Sequence, residues 1–234
     1  MSGRATRLGR PRLHLRETTS TNDRARALAI AGAPHGALVT AGSQSAGRGR
    51  QGRTWAAPPG RALLLSLVLR DCDPLLPLRA GLAVADLAGA AALVKWPNDV
   101  LLGGRKLAGI LVEARPHDGW AVLGIGINVA VDVAELPPDV RERAATLARP
   151  PEALEATLAE LLGQLERRLA EPAVDCLRAL RERDALRDRP IRWADGEGTG
   201  AGIDDTGALR VRLADGSTRT IDAREVHLGD SVTT

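Results

Sequence analysis

The chain has 234 residues, 44% hydrophobic and 26% charged, with a formal net charge of +3. This suits one sizeable core with a small appendage, and no apolar run reaches the ~18 residues of a membrane-spanning helix. Two distant cysteines (Cys72, Cys176) and four scattered histidines form neither a CxxC pair nor zinc-ligand spacing, so free thiols and a cytoplasmic setting are expected. Residues 1–11 are rich in Arg and Gly, lack the apolar centre of a secretory signal, and read as a disordered leader. Residues 12–17 alternate as a short strand. Thr18 to Asp23 then opens an Ala/Leu-rich helix that runs to about Ala31 and stops at Gly32. Ala37 to Ala41 reads as a strand, 42–60 as a long Gly/Arg/Pro loop, and Ala62 to Leu69 as a buried strand. Leu78 to Leu93 reads as a helix. A hairpin-like unit over 95–112 follows, turning at Gly103-Gly104, and then a strand from Trp120 to Val129.

Two helical stretches come next. In the first, Leu154, Leu158, Leu161, Leu162, Leu165 and Leu169 share one face. Near Pro190 the texture changes. Short alternating runs from Ile191 to Leu228 are broken by Ala194-Asp195-Gly196, Asp205-Thr206-Gly207 and Ala214-Asp215-Gly216. These turn signals at roughly ten-residue spacing suit a small β-barrel or sandwich. The expected organisation is therefore a leader (1–11), a main domain (12–188) and a small β-domain (189–234).

Two stretches carry chemistry. Lys95-Trp96-Pro97-Asn98-Asp99 followed by Arg105-Lys106-Leu107-Ala108-Gly109 sets a cation and a carboxylate beside buried backbone. That suits activation of an anion; a plain hairpin with a solvated lysine is the alternative. Gln44 to Trp55 holds Gly47, Gly49 and Gly52 with Arg48, Arg50 and Arg53. Glycines let backbone N–H groups approach a ligand, and arginines pair with phosphate or carboxylate. No Gly-Lys-Ser/Thr follows, so this is not a Walker A loop. A contact with single-stranded nucleic acid is also open, since Arg plus one aromatic is its signature. Ser20, Thr21 and Asn22 read as helix caps or as ligand contacts. Asn128 reads as a turn residue, and Gly124 and Gly126 mark a close approach to a strand.

Order and co-occurrence decide between these readings. Ser20-Thr21-Asn22, then the Gln44–Trp55 loop, then Lys95–Asp99, then Arg105 to Leu111 with Glu113, then Gly124-x-Gly126-Ile127-Asn128 together resemble the biotin–protein ligase family over about residues 15–130. A weaker match at Gly202-Ile203-Asp204 through Gly207-Ala208-Leu209 resembles that family's SH3-like C-terminal domain. The resemblance implies an α+β fold: a mixed β-sheet flanked by helices, like class II aminoacyl-tRNA synthetases, followed by a small SH3-like barrel. It implies that biotin and ATP, with Mg²⁺, give biotinyl-5′-AMP. The biotinyl group then passes to a lysine of the biotin carboxyl carrier domain of an acyl-CoA carboxylase.

In this resemblance Lys106 bridges the biotin carboxylate and the α-phosphate, and Arg48 and Arg50 enclose the phosphates, the loop ordering over the adenylate. Ser20, Thr21, Asn22, Gln44 and backbone at Gly47 and Gly109 meet biotin, together with Arg48, Arg50 and Lys106. Asn128 reads the adenine edge and Trp55 stacks on its face. Asp99 serves the second half-reaction by orienting or deprotonating the acceptor lysine. Segment 139–149 stands where relatives carry an adenine-covering loop, often with an aromatic, and has none. The pattern begins at about residue 12, which leaves no room for the DNA-binding helix-turn-helix of bifunctional relatives, so no specific DNA binding is expected. A monomer or a homodimer is expected. The competing readings are a lipoate–protein ligase and a non-catalytic nucleic-acid-binding module.

Overall fold

The computed structural model describes residues 8–194, 196–221 and 226–228. In chain order the first half comprises β1 (Arg12–Thr18), α1 (Thr21–Ile30), β2 (Leu38–Gln44), β3 (Ala62–Leu69), α2 (Leu76–Ala88), β4 (Ala92–Lys95), β5 (Asp99–Leu102), β6 (Arg105–Arg115) and β7 (Trp120–Asn128). Then come the short α3 (Pro138–Arg141), α4 (Leu154–Ala170) and α5 (Ala173–Glu182). The chain closes with β8 (Pro190–Trp193), β9 (Gly196–Ile203), β10 (Leu209–Arg212), β11 (Thr218–Ile221) and β12 (Val226–Leu228).

The first seven strands form one mixed sheet in the order β1-β2-β3-β7-β6-β5-β4. Only β1 and β2 run parallel. β3 and β7 sit at its centre, and every residue of both is buried. Their alternation sorts the two faces. Leu65, Leu67, Leu123, Ile125 and Ile127 join the main core under α2 and α4. Val68, Val122 and Trp120 meet Ala25 and Ala29 of α1 on the other face. On that second face Ser66, Gly124 and Gly126 interrupt the apolar pattern, and there the sheet opens into a cleft.

A register shift between β5 and β6 governs that opening. Val100 pairs with Ala108, but Leu101 pairs with Lys106, so Leu107 is the extra residue of a bulge. Leu107 and Ala108 both enter the main core. The bulge thereby puts Lys106 on the same face as Gly109, where strict alternation would turn it into the core.

Helix α2 ends at Ala88, five residues short of the expected end. Gly89 follows with φ 97°, a conformation open to glycine, and Ala92–Lys95 instead pairs with β5. The expected hairpin over 95–112 is thus three strands. The expected leader over 1–11 overlaps residues that are packed onto the fold. Leu8 is buried, and its N–H donates to the Glu166 carboxylate at 2.7 Å. Residues 1–7 of the leader lie outside the described residues, as does Asp195 of the first turn signal.

The last five strands form an antiparallel sheet in the order β11-β10-β9-β8-β12. It shares the main core: Ile191, Trp193, Ile203, Leu209 and Val211 pack into the cluster that also holds Leu75, Leu78 and Leu177. The Trp96 indole N–H donates to the Gly207 carbonyl at 3.0 Å, which joins the β4–β5 corner to the β9–β10 turn.

Candidate active site

The cleft encloses about 670 Å³ including its open mouth, and is walled by the start of α1, the end of β2, the loop after it, and strands β6 and β7. At its floor four sequence-distant polar segments interlock. Gln44 Oε1 accepts from the Thr21 N–H at 2.7 Å and the Thr21 hydroxyl at 3.1 Å. Ser66 Oγ lies 2.8 Å from Thr21 Oγ1 and donates to Asn22 Oδ1 at 2.6 Å. Asn22 Nδ2 donates to Glu113 Oε2 at 2.8 Å. Ser20 occupies the cap position of α1 but makes no side-chain cap bond. The three residues are buried at the cleft instead of capping the helix.

Three glycines make room for these contacts. A Cβ on Gly124 would overlap the Asn22 amide oxygen, and one on Gly126 would lie 2.5 Å from the Trp55 ring. A Cβ on Gly109 would lie 3.2 Å from the same ring. The indole therefore lies on bare backbone, with Lys106 Nζ 5.6 Å from its centroid, a cation–π distance. Trp55 Nε1 is buried without a hydrogen-bond partner.

Lys106 Nζ lies 2.7 Å from Asp99 Oδ1, so the cation and carboxylate anticipated from the two strand ends are one ion pair. Arg50 Nη1 donates to Asn98 Oδ1 at 3.2 Å. Asn98 is itself fixed to β6, donating to the Ile110 carbonyl at 2.9 Å and accepting from the Ile110 N–H at 2.9 Å. Arg48 reaches Asp23 at 2.6 Å and Glu113 at 3.0 Å. Partial burial alone would lower the Arg48 pKa; its two carboxylate partners outweigh it and raise the pKa.

The structure thus brings Ser20, Thr21, Asn22, Gln44, Arg48, Arg50, Trp55, Lys106 and Gly109 to one cleft. Gly47 stands at the root of the loop, where a Cβ would strike the Trp55 carbonyl oxygen. Asp99 reaches the cleft through Lys106. Asn128 is placed differently. It is buried at the end of β7 and donates to the Ala145 carbonyl at 2.9 Å, so it pins the segment after α3 and does not line the cleft. That segment bonds Lys106 from behind, through Lys106 N–H to Arg143 O at 2.6 Å and Ala145 N–H to Lys106 O at 2.8 Å. Sequence reasoning missed Asp23 and Ser66 as site residues and gave Glu113 no role. Ser66 was the single polar residue in an apolar strand, a signal that was legible. Among the described residues no cluster of three or more His, Cys, Asp or Glu is arranged to hold a metal ion.

This set of polar groups, glycines and paired cations lines one cleft on a mixed sheet flanked by helices. The chain belongs to the biotin/lipoate A/B protein ligase family, whose model matches residues 15–132. Residues 190–229 match the biotin protein ligase C terminal domain. Over 247 aligned residues the chain is 35% identical to the biotin–[acetyl-CoA-carboxylase] ligase of Paracoccus denitrificans, covering 92% of this chain and 99% of that one. It is 38% identical over 143 residues to the bifunctional ligase/repressor BirA of Bacillus subtilis, covering 56% of this chain and 44% of the relative. The chain thus spans less than half of that longer protein. The structure of a biotin protein ligase from Aquifex aeolicus in complex with biotin and ATP shares the fold, with a TM-score of 0.80 and 24% identity, covering 94% of this chain and all of that one.

Proposed function

We propose that this chain uses ATP to convert biotin into biotinyl-5′-AMP and transfers the biotinyl group to a lysine of a biotin carboxyl carrier domain of an acyl-CoA carboxylase. The observation that carries this reading is the convergence of the Ser20–Asn22 segment, Gln44, the Gly-Arg loop and the Lys106–Asp99 pair on one cleft. The name of the Paracoccus ligase, and the biotin and ATP of the Aquifex complex, support biotin over lipoate.

A carboxylate is a poor acyl donor, so it first attacks the α-phosphorus and pyrophosphate leaves. Both reactants are anions, and Lys106 offsets the charge that gathers between them. Arg50, held by Asn98, and Arg48 face the same charge. Asp99 holds the ammonium until the phosphate claims it; the freed carboxylate then orients the acceptor lysine, whose amine attacks the acyl carbon and expels AMP. Thr21 and Gln44 offer hydroxyl and amide groups to the ureido ring. The cleft's carboxylates are already paired, Asp99 with Lys106 and Asp23 and Glu113 with Arg48. Among the described residues they do not build a separate cation site, so Mg²⁺ would arrive on the nucleotide and help offset its phosphate charge.

Arg48 and Arg50 of the loop turn inward onto Asp23, Glu113 and Asn98, which disfavours the nucleic-acid-binding reading. We assign catalysis to residues 12–188 and an accessory role to 189–234. Two free thiols suit a cytoplasmic setting. Among the described residues β1 pairs only with β2, and this edge of the sheet is compatible with either a monomer or a homodimer. The test is incubation with ATP, an apo-carrier domain and either biotin or lipoate, read by pyrophosphate release and intact mass. A biotin-dependent mass increase is expected; lipoylation without biotinylation would overturn the assignment.

A further inference from the structure

We propose that Glu113 and Asp23 are positioning residues that latch the Gly-Arg loop shut over the ligand cleft through Arg48, before any nucleotide arrives. The inference rests on the biotin-ligase reading of this site.

Glu113 lies on β6, near the strand's end, and its two oxygens serve different masters. Oε2 accepts from Asn22 Nδ2 at 2.8 Å, and Oε1 accepts from Arg48 at 3.0 Å. Asp23 Oδ1 accepts from the other Arg48 nitrogen at 2.6 Å. One guanidinium thus spans a carboxylate on α1 and a carboxylate on β6, and the loop that carries it is stitched to both walls. The stitch continues into the floor: Glu113 to Asn22, Asn22 to Ser66, Ser66 to Thr21, Thr21 to Gln44. The groups expected to touch biotin and the loop expected to cover it belong to one hydrogen-bonded chain, with Glu113 as the joint.

Arg26 makes the latch releasable. It lies 2.8 Å from Asp23 and 3.7 Å from Glu113. When Arg48 turns to a phosphate, both carboxylates keep a cation, so opening does not strand an uncompensated charge. The arrangement has two balanced states, with Arg48 on the protein or Arg48 on the ligand.

Glu113→Gln separates the two functions of the carboxylate. An amide accepts at one end only, so it cannot serve Asn22 and Arg48 together. The primary measurement is biotin dissociation from the binary complex without ATP, where no phosphate competes for Arg48. Loss of one charge-assisted contact should speed release about tenfold. Arg48→Met should do the same, and the double variant should release biotin no faster than either single one. Unchanged release in Glu113→Gln, or effects that multiply in the double variant, would overturn the latch.

Asp23→Asn guards against a folding defect. Among the described residues the Asp23 carboxylate pairs with Arg26 and Arg48, and its variant should loosen the loop several-fold with the melting temperature unmoved. Trypsin cleavage after Arg48, Arg50 and Arg53 of the ligand-free protein supplies a readout that needs no biotin. Faster cleavage in both carboxylate variants supports the latch, and wild-type cleavage rates in both would refute it. Wild-type protein that binds no biotin would instead sink the functional reading, with proteolysis still deciding the latch.

Discussion

Lys106 illustrates how much a single side chain depends on backbone irregularity. Its ammonium reaches the cleft because Leu107 is the extra residue of a bulge, and it meets Asp99 at 2.7 Å once there. Lys106→Ala should cut adenylate formation by about 10²–10³-fold, as for loss of one group that stabilises transition-state charge. Pyrophosphate release measures this, and thermal melting alongside it should move little, because the ammonium is 38% exposed. Wild-type turnover in the variant would remove Lys106 from the mechanism. Gly124→Ala should act differently. Its methyl overlaps Asn22 Oδ1, so Asn22 must leave Ser66 or Glu113. We expect a stability loss of about 1–3 kcal/mol and a KM for biotin that rises more than kcat falls, measured by urea unfolding and steady-state kinetics. The cation, the carboxylate and the loop arginines were legible because their chemistry is written in short motifs. Ser66 and Glu113 gain their meaning only from partners more than forty residues away, and the bond from Asn128 to Ala145 was not legible because strand periodicity does not say which segment covers a strand end.

The corner between β4 and β5 shows the same limit among elements. Apolar runs placed β3, β7, α1 and α4 in sequence because both faces of a central strand, or one face of a helix, must be covered. The end of α2 escaped that logic. Ala, Leu and Val continue past Gly89 without a change of hydrophobicity, and only pairing with β5 turns them into a strand. Trp96 then leaves the sheet and bonds the β9–β10 turn. Trp96→Phe keeps an aromatic ring, though a smaller one, and deletes the N–H, leaving the Gly207 carbonyl without that donor. The expected cost is about 1–2 kcal/mol, read by chemical denaturation; no measurable loss would show that another donor replaces the indole.

At the scale of the whole molecule the change of texture near Pro190 was readable, whereas the shared core was not. Strand order and the burial of Ile203, Leu209 and Val211 beside Leu75 and Leu78 arise from packing between distant segments. A second tie runs through Asp86 on α2. Its carboxylate accepts from Arg168 of α4 at 2.7 and 3.0 Å, and both side chains are about 10% exposed or less. Burial pushes the Asp86 carboxyl up, but hydrogen bonds and charge from Arg168 and Arg167 hold it below its ordinary value. A depressed carboxyl stabilises the fold above its unfolded pKa of about 3.9, and this contribution is lost as pH falls through the lower folded value. Asp86→Ala should therefore cost about 3 kcal/mol near neutrality, and the gap to wild type should narrow below pH ~4. A gap that stays constant from pH 7 to 3 would contradict the pairing.

Gly109 and Gly126 face each other across β6 and β7, with Gly124 one step along opposite Leu111. The three are already the smallest residues available, so mutation at these points runs in one direction. Every substitution subtracts space from the cleft, and none can add it. A variant that accepts a bulkier acid must change elsewhere, in the loop that ends at Trp55 or at the start of α1, because these glycines have no side chain to give up. Ligand range at this cleft is thus set asymmetrically: substitution in the two strands narrows it, and room is gained through the loop or the start of α1.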